Sequence, residues 1–165
     1  MPPLVAHAHA FLKYSPPPHA PKPAEDRPAR TRLPTDRDYL HMREAYRGSG
    51  GTVRRDALAR VLHGCDGAHD QTLGKLLVIH DVFSFVWRGV HWVPMFQFDL
   101  RDMSVKSRPQ RVVAELAEVF DGWALAMWFS QPNPWLRNRR PVDVLDVSLT
   151  AVLRAARADR FTANG

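Results

Sequence analysis

The sequence predicts a mainly α-helical protein with one small β-hairpin, in two ordered halves behind a proline-rich arm. Three observations predict this. Apolar residues recur at helical spacing through most of residues 35–79 and 109–160. The period shortens to two at Phe83, Phe85 and Trp87, as on a half-buried strand. Residues 1–34 carry Pro16-Pro17-Pro18 and little periodic pattern. Such a segment buries too little surface to offset the entropy of ordering, and an extended or disordered arm is expected.

The totals narrow the class. A chain of 165 residues has room for one full domain or two small ones. A hydrophobic share of 45% with a mean hydropathy of −0.33 suits a globular core. The single Cys65 excludes an internal disulfide and fits a reducing cytoplasm. The N-terminus lacks the basic start and sustained apolar run of a secretory signal, and no stretch reaches membrane-spanning length. A cytoplasmic location with no membrane partner is therefore expected. The net charge of +6 and pI near 10.1 lean toward a polyanionic partner. In the arm, Lys13, Lys22, Arg27, Arg30 and Arg32 outnumber Glu25 and Asp26. A solvated tail is the plainer reading, and tracking of a phosphate backbone the other. His7 and His9 are too few to make a metal site.

Taken in order, Thr35 or Asp36 is expected to cap a helix over residues 39–47, ended by Gly48-Ser49-Gly50-Gly51. Thr52 is expected to cap a second, with Val53, Ala57, Leu58, Val61 and Leu62 on one face and Gly64 as its stop. A third covers 71–79. The strand through Phe83, Phe85 and Trp87 then turns at Arg88-Gly89 and returns over 90–98. Pro94 lacks a backbone donor, which assigns the returning strand to a sheet edge. Three helices followed by a hairpin give the order of a winged helix-turn-helix, over residues 35–98.

Residues 99–108 are polar and aperiodic and are read as a linker. Ser107 is expected to cap the next helix, with Pro109 in its first turn and Val112, Val113, Leu116, Val119 and Phe120 at helical spacing. Asp121-Gly122 breaks it. Residues 123–130 form a helix apolar nearly all round. A proline corner, Gln131-Pro132-Asn133-Pro134, leads through Trp135-Leu136 into a basic loop. Pro141 opens a short helix, and Ser148 caps a last one, with Leu149, Val152, Leu153 and Ala156 on one face.

Two readings of chemistry follow from the first half. In a DNA-binding reading Thr52, Arg54, Arg55 and Arg60 meet phosphates, while Gln71, Thr72 and Lys75 face a groove. The alternative is a degenerate motif kept for dimerisation or packing. The loop His63-Gly64-Cys65-Asp66-Gly67-Ala68-His69-Asp70 has the residue types of a zinc site or a Cys-His nucleophile. It lacks a second ligand cluster and is read as an inert connection. No metal, cofactor or catalysis is expected. Trp87 and Trp92 flank the hairpin turn and are read as a cross-strand pair that holds it.

The strongest signal lies in residues 121–146, which hold Trp123, Trp128 and Trp135, three of the five tryptophans. Aromatic surface on this scale is buried in a core or held for a partner. Trp135 and Leu136 are expected to project from a stiff turn, with Arg137, Arg139 and Arg140 beside them to pair with partner carboxylates. The order Trp128, Pro132-Asn133, Leu136, Arg139-Arg140 and Pro141-Val142-Asp143-Val144-Leu145 resembles the toxin-binding module of the Xre/MbcA/ParS family of bacterial antitoxins. The resemblance covers residues 108–165, about a third of the chain. Family members commonly carry a Gly soon after the Pro-Asn corner; this chain has Asn138. The region through Pro94-Met95-Phe96-Gln97-Phe98 is similar to the helix-turn-helix regions found ahead of that module.

The resemblance implies a type II antitoxin: a helical toxin-binding module over 109–165 that binds a RES-type, NAD-consuming toxin and blocks its NAD pocket with the C-terminal end. The residues it assigns to the toxin are Trp128, Pro132, Asn133, Trp135, Leu136, Arg139, Arg140, Arg160, Phe161, Asn164 and Gly165. Operator DNA and homodimerisation are the other expected partnerships. A stand-alone DNA-binding regulator and a protein-binding module without DNA function remain the alternatives.

Overall fold

The computed structural model describes residues 34–64 and 73–164. The proline-rich arm, Cys65 and its loop, Gln71, Thr72 and Gly165 lie outside the described residues, as does the side chain of Asn164.

Thr35 opens helix α1 (Asp36–Tyr46), its hydroxyl accepting from the Asp38 amide while the Asp38 carboxylate accepts from the Thr35 amide. This reciprocal box satisfies two donors that the first turn leaves orphaned. A 3-10 turn, Arg47–Ser49, follows, and the left-handed Gly50 and Gly51 swing the chain into strand β1 (Thr52–Arg54). Helix α2 (Arg55–Gly64) and helix α3 (Leu73–Val78) come next. Strands β2 (Phe85–Trp87) and β3 (Val90–Pro94) form the hairpin around Arg88 and Gly89, both at positive φ.

Two expectations fail here. Thr52 does not cap a helix: it pairs with Pro94 in an antiparallel ladder that also joins Val53 to Val93 and Arg54 to Trp92. Nor does the strand bearing Pro94 lie at an edge. The sheet order is β1-β3-β2, so β3 is central. Pro94 is tolerated because it is the last residue of the strand. The next amide, of Met95, donates to Gly51 O at 2.9 Å and closes the ladder in its place.

Beyond β3, the 3-10 turn Met95–Gln97 buries the Gln97 amide, which accepts from Phe83 N at 2.8 Å and donates to Phe83 O and Pro94 O at 3.0 Å each. The expected linker is a closed loop: Asp99 N donates to Ser104 O and Lys106 N to Gln97 O, each at 2.8 Å. Arg101 binds Asp99 and holds its carboxyl well below the usual range. Helix α4 (Ser107–Leu116) has Lys106 at its N-cap with no side-chain bond, so the expected cap by Ser107 is absent. Helix α5 (Gly122–Ser130) is capped by Asp121, which accepts from the Ala124 amide at 2.7 Å. The proline corner contains the 3-10 turn Pro134–Leu136. Helices α6 (Pro141–Val144) and α7 (Leu149–Asn164) complete the chain.

The whole is mainly helical with a small three-stranded antiparallel sheet. The described residues belong to one compact unit, Leu33–Gly165. Its main core draws Met42 and Tyr46 of α1 and Phe85 of β2 together with Leu116 of α4, Phe129 of α5 and Val152 of α7. A smaller core, with Leu58, Leu76, Val93 and Phe98, lies between α2, α3 and the sheet. The hairpin tryptophans do not face each other directly: the register sets Trp92 opposite Phe85 and Trp87 opposite Val90. Trp87 instead stacks between Tyr39 at 4.8 Å and Trp123 at 5.6 Å, tying the hairpin to α1 and α5.

Candidate functional site

Asn133 organises the proline corner. Its carbonyl accepts from the amides of Leu136 and Asn138 at 3.0 Å, and its amide donates to Arg139 O at 3.1 Å. Its side-chain oxygen accepts from Trp135 N at 2.9 Å, and its side-chain nitrogen donates to Asp159 at 2.7 Å. Both polar atoms of this buried side chain are engaged, as burial demands. Residues 133–139 thus close into a backbone ring. Closure puts Arg137 and Asn138 in the left-handed region, both at φ 57°. Asn accepts that conformation readily; Arg137 carries a strain of about 1 kcal/mol.

Asp159, on α7, is the anchor. One carboxylate oxygen accepts from Trp128 Nε1 and Asn133 Nδ2, both at 2.7 Å, and the other from Trp135 Nε1 at 3.2 Å. Two indoles and one amide therefore converge on one charged acceptor, each bond stronger than its neutral counterpart. The ring of Trp135 is held by its N–H edge and is 65% exposed. A large exposed aromatic with its N–H edge bonded has less orientational freedom to lose when a partner arrives.

Of the residues assigned to toxin binding, Trp128, Asn133 and Trp135 are brought together around Asp159, with Pro132 exposed beside them. Leu136 is a correction. Only 3% exposed, it points into the main core, because the 3-10 turn puts adjacent side chains on different sides. Arg139 is exposed, and Arg140 pairs with Asp143 at the start of α6. Arg160 does not join the corner: with Arg157 it grips Glu115 of α4, at 3.0 and 3.4 Å. The C-terminal end assigned to the toxin's pocket is helical through Asn164, and Phe161 stands 84% exposed on the last turn of α7.

Sequence reasoning missed Asp159 and Glu115. A lone acid among Arg154, Arg157 and Arg160 reads as surface decoration. The available signal was its phase, one turn beyond the buried Ala155 and Ala156.

The residues assigned to DNA fall in two places. Arg54 ends β1 and Arg55 begins α2, while Arg60 lies one turn further on; Asp56 accepts from Arg54 at 3.1 Å and pairs with Arg60 at 3.8 Å. Thr52 is half-buried in β1, and Lys75 is exposed on α3, which packs against α2. Among the described residues no helix is long and apolar enough to cross a membrane. In comparisons with protein-family models, curated proteins and solved structures, nothing matches the chain.

Proposed function

We propose that the chain is a type II antitoxin of the Xre/MbcA/ParS kind. On this reading, residues 109–165 bind a RES-type toxin and occlude its NAD pocket, and residues 35–98 bind operator DNA as a homodimer to repress the operon. The observation that carries the reading is Trp135: its ring is bonded in place by Asp159 yet 65% exposed. Aromatic anchors flanked by arginines dominate protein interfaces. Phe161 on the final turn of α7 is a second exposed ring, and Arg137, Arg139 and Arg154 are exposed arginines of the same module. Exposed rings and arginines of this kind suit a partner that offers apolar slots bordered by carboxylates.

The DNA half of the reading draws support from topology. The order helix, strand, helix, helix, strand, strand, with the first strand beside the returning arm of the hairpin, suits a winged helix-turn-helix. Co-expression with a RES-type toxin tests the main claim. The intact chain rescues growth and co-purifies with the toxin. Removal of residues 161–165, which leaves the Arg160–Glu115 pair in place, abolishes rescue without unfolding the protein. Rescue by the shortened chain contradicts the occlusion mechanism.

A further inference from the structure

The ladder between β1 and β3 ends at Arg54 opposite Trp92, and the chain turns there into α2. Two residues before Trp92, β3 begins at the hairpin tip. The tip therefore overhangs the start of α2, and between them lies an open cleft of about 410 Å³ lined by Arg54, Arg55, Ala59, Gly89 and His91. Asp56 also lines it, but that carboxylate is already shared by Arg54 and Arg60. Two arginines line the cleft against one aspartate that Arg60 also neutralises from outside it, which leaves the cleft positive. The Arg55 side chain makes no ion pair or hydrogen bond among the described residues. Gly89 sits at φ +75° with nothing within 4 Å of the place a Cβ would occupy, so a ligand can approach the backbone closely.

We infer that this cleft seats one phosphodiester of a nucleic-acid backbone, with Arg55 and Arg54 as its cationic donors and His91 at its outer lip. The inference rests on the DNA-binding half of the proposed function and adds the hairpin tip to it. Of the residues lining the cleft only Ala59 and Val90 carry apolar side chains, both small, and Arg54, Arg55, Asp56 and His91 bring polar heads to it. A peptide partner needs a desolvated apolar centre, whereas a phosphate needs only donors at the right separation. Arg88, at the tip itself, is not part of the seat: both its contacts to the Asp36 carboxylate are 2.7 Å, and its guanidinium lies over the Trp87 ring. That arrangement fixes the tip against α1 and holds the cleft's far wall in place.

The test is fluorescence anisotropy of the full chain with a labelled random-sequence duplex between low and physiological salt. The variants are Arg55→Ala, Arg55→Glu and His91→Ala, with Arg37→Ala, an exposed arginine on α1, as the control. Arg55→Ala makes the slope of log affinity against log salt shallower by about 1, the signature of one lost phosphate contact. Arg55→Glu lowers affinity further, His91→Ala weakens binding less than Arg55→Ala, and Arg37→Ala leaves the slope unchanged; circular dichroism checks that each variant is folded. Duplex binding by the wild type that Arg55→Glu and His91→Ala leave untouched overturns the cleft while the DNA reading stands. An equal loss with Arg37→Ala also overturns it, since the effect then reflects net charge. Failure of the wild type to bind at low salt overturns the DNA reading and the cleft together.

Discussion

Replacing Asp159 with Ala tests what holds the corner. The substitution strips the acceptor from three donors: Trp128 Nε1, Asn133 Nδ2 and Trp135 Nε1. Trp135 is mostly exposed, so water replaces its bond at little cost. The other two donors are shielded. A hydrogen bond to a charged group contributes about 1.5–3 kcal/mol, and partial exposure of Trp128 discounts one of the pair, so a loss of about 2–4 kcal/mol is expected. At an m value of about 2 kcal/mol/M the urea midpoint falls by about 1–2 M. Asp159→Asn keeps one acceptor oxygen and turns an amide toward the remaining donors, so its loss is smaller. The assay is urea unfolding followed by tryptophan fluorescence, with Asp143→Asn as an exposed ion-pair control expected within about 0.5 kcal/mol of wild type. A loss below about 0.5 kcal/mol for Asp159→Ala refutes the claim that this carboxylate holds Trp128 and Asn133 together.

Three further predictions concern the scaffold. A Cβ at Gly122 falls 1.9 Å from Ser84 O, a backbone atom that cannot step aside, so Gly122→Ala costs about 3 kcal/mol or more by thermal unfolding. Gln97→Leu leaves Phe83 N–H without an acceptor and two carbonyls without a donor, a loss of about 2–5 kcal/mol in the same assay. Tyr46 is fully buried, its hydroxyl donating to Ala126 O at 2.6 Å, and burial raises its pKa well above 10.0. Its folded pKa exceeds its unfolded one, so its contribution is complete below pH 10 and declines as pH rises above it. Stability of the wild type therefore falls more steeply above pH 10 than that of Tyr46→Phe, by up to about 1.4 kcal/mol per pH unit. Parallel pH profiles for the two proteins contradict this.

Much of the fold was legible because local signals dictated it. Thr35 ahead of α1, the Asp121-Gly122 break, Pro141 and the Arg88-Gly89 turn each mark a helix boundary or hairpin within a few residues. The errors share a cause in long-range pairing. Thr52, Val53 and Arg54 are too few to show a period, and only Val93, forty residues away, makes them a strand. The same partner turns β3 from an edge into a centre. At the corner, the tryptophans and Asn133 stood out by type, but the inward turn of Leu136 follows from ring closure through Asn133. The anchoring carboxylate of Asp159 lies 24 to 31 residues from its donors, beyond any local pattern.

The most direct test of the outward-facing corner is the affinity of a purified RES-type toxin for Trp135→Ala, beside an Arg37→Ala control. Trp135 is exposed and its indole bond is one that water replaces, so Trp135→Ala should fold with near-normal stability. Loss of an interface anchor costs about 2 kcal/mol or more, which appears as at least about a thirtyfold weaker complex. Affinity unchanged from wild type in a folded Trp135→Ala protein contradicts the claim that this ring is held in water for a partner.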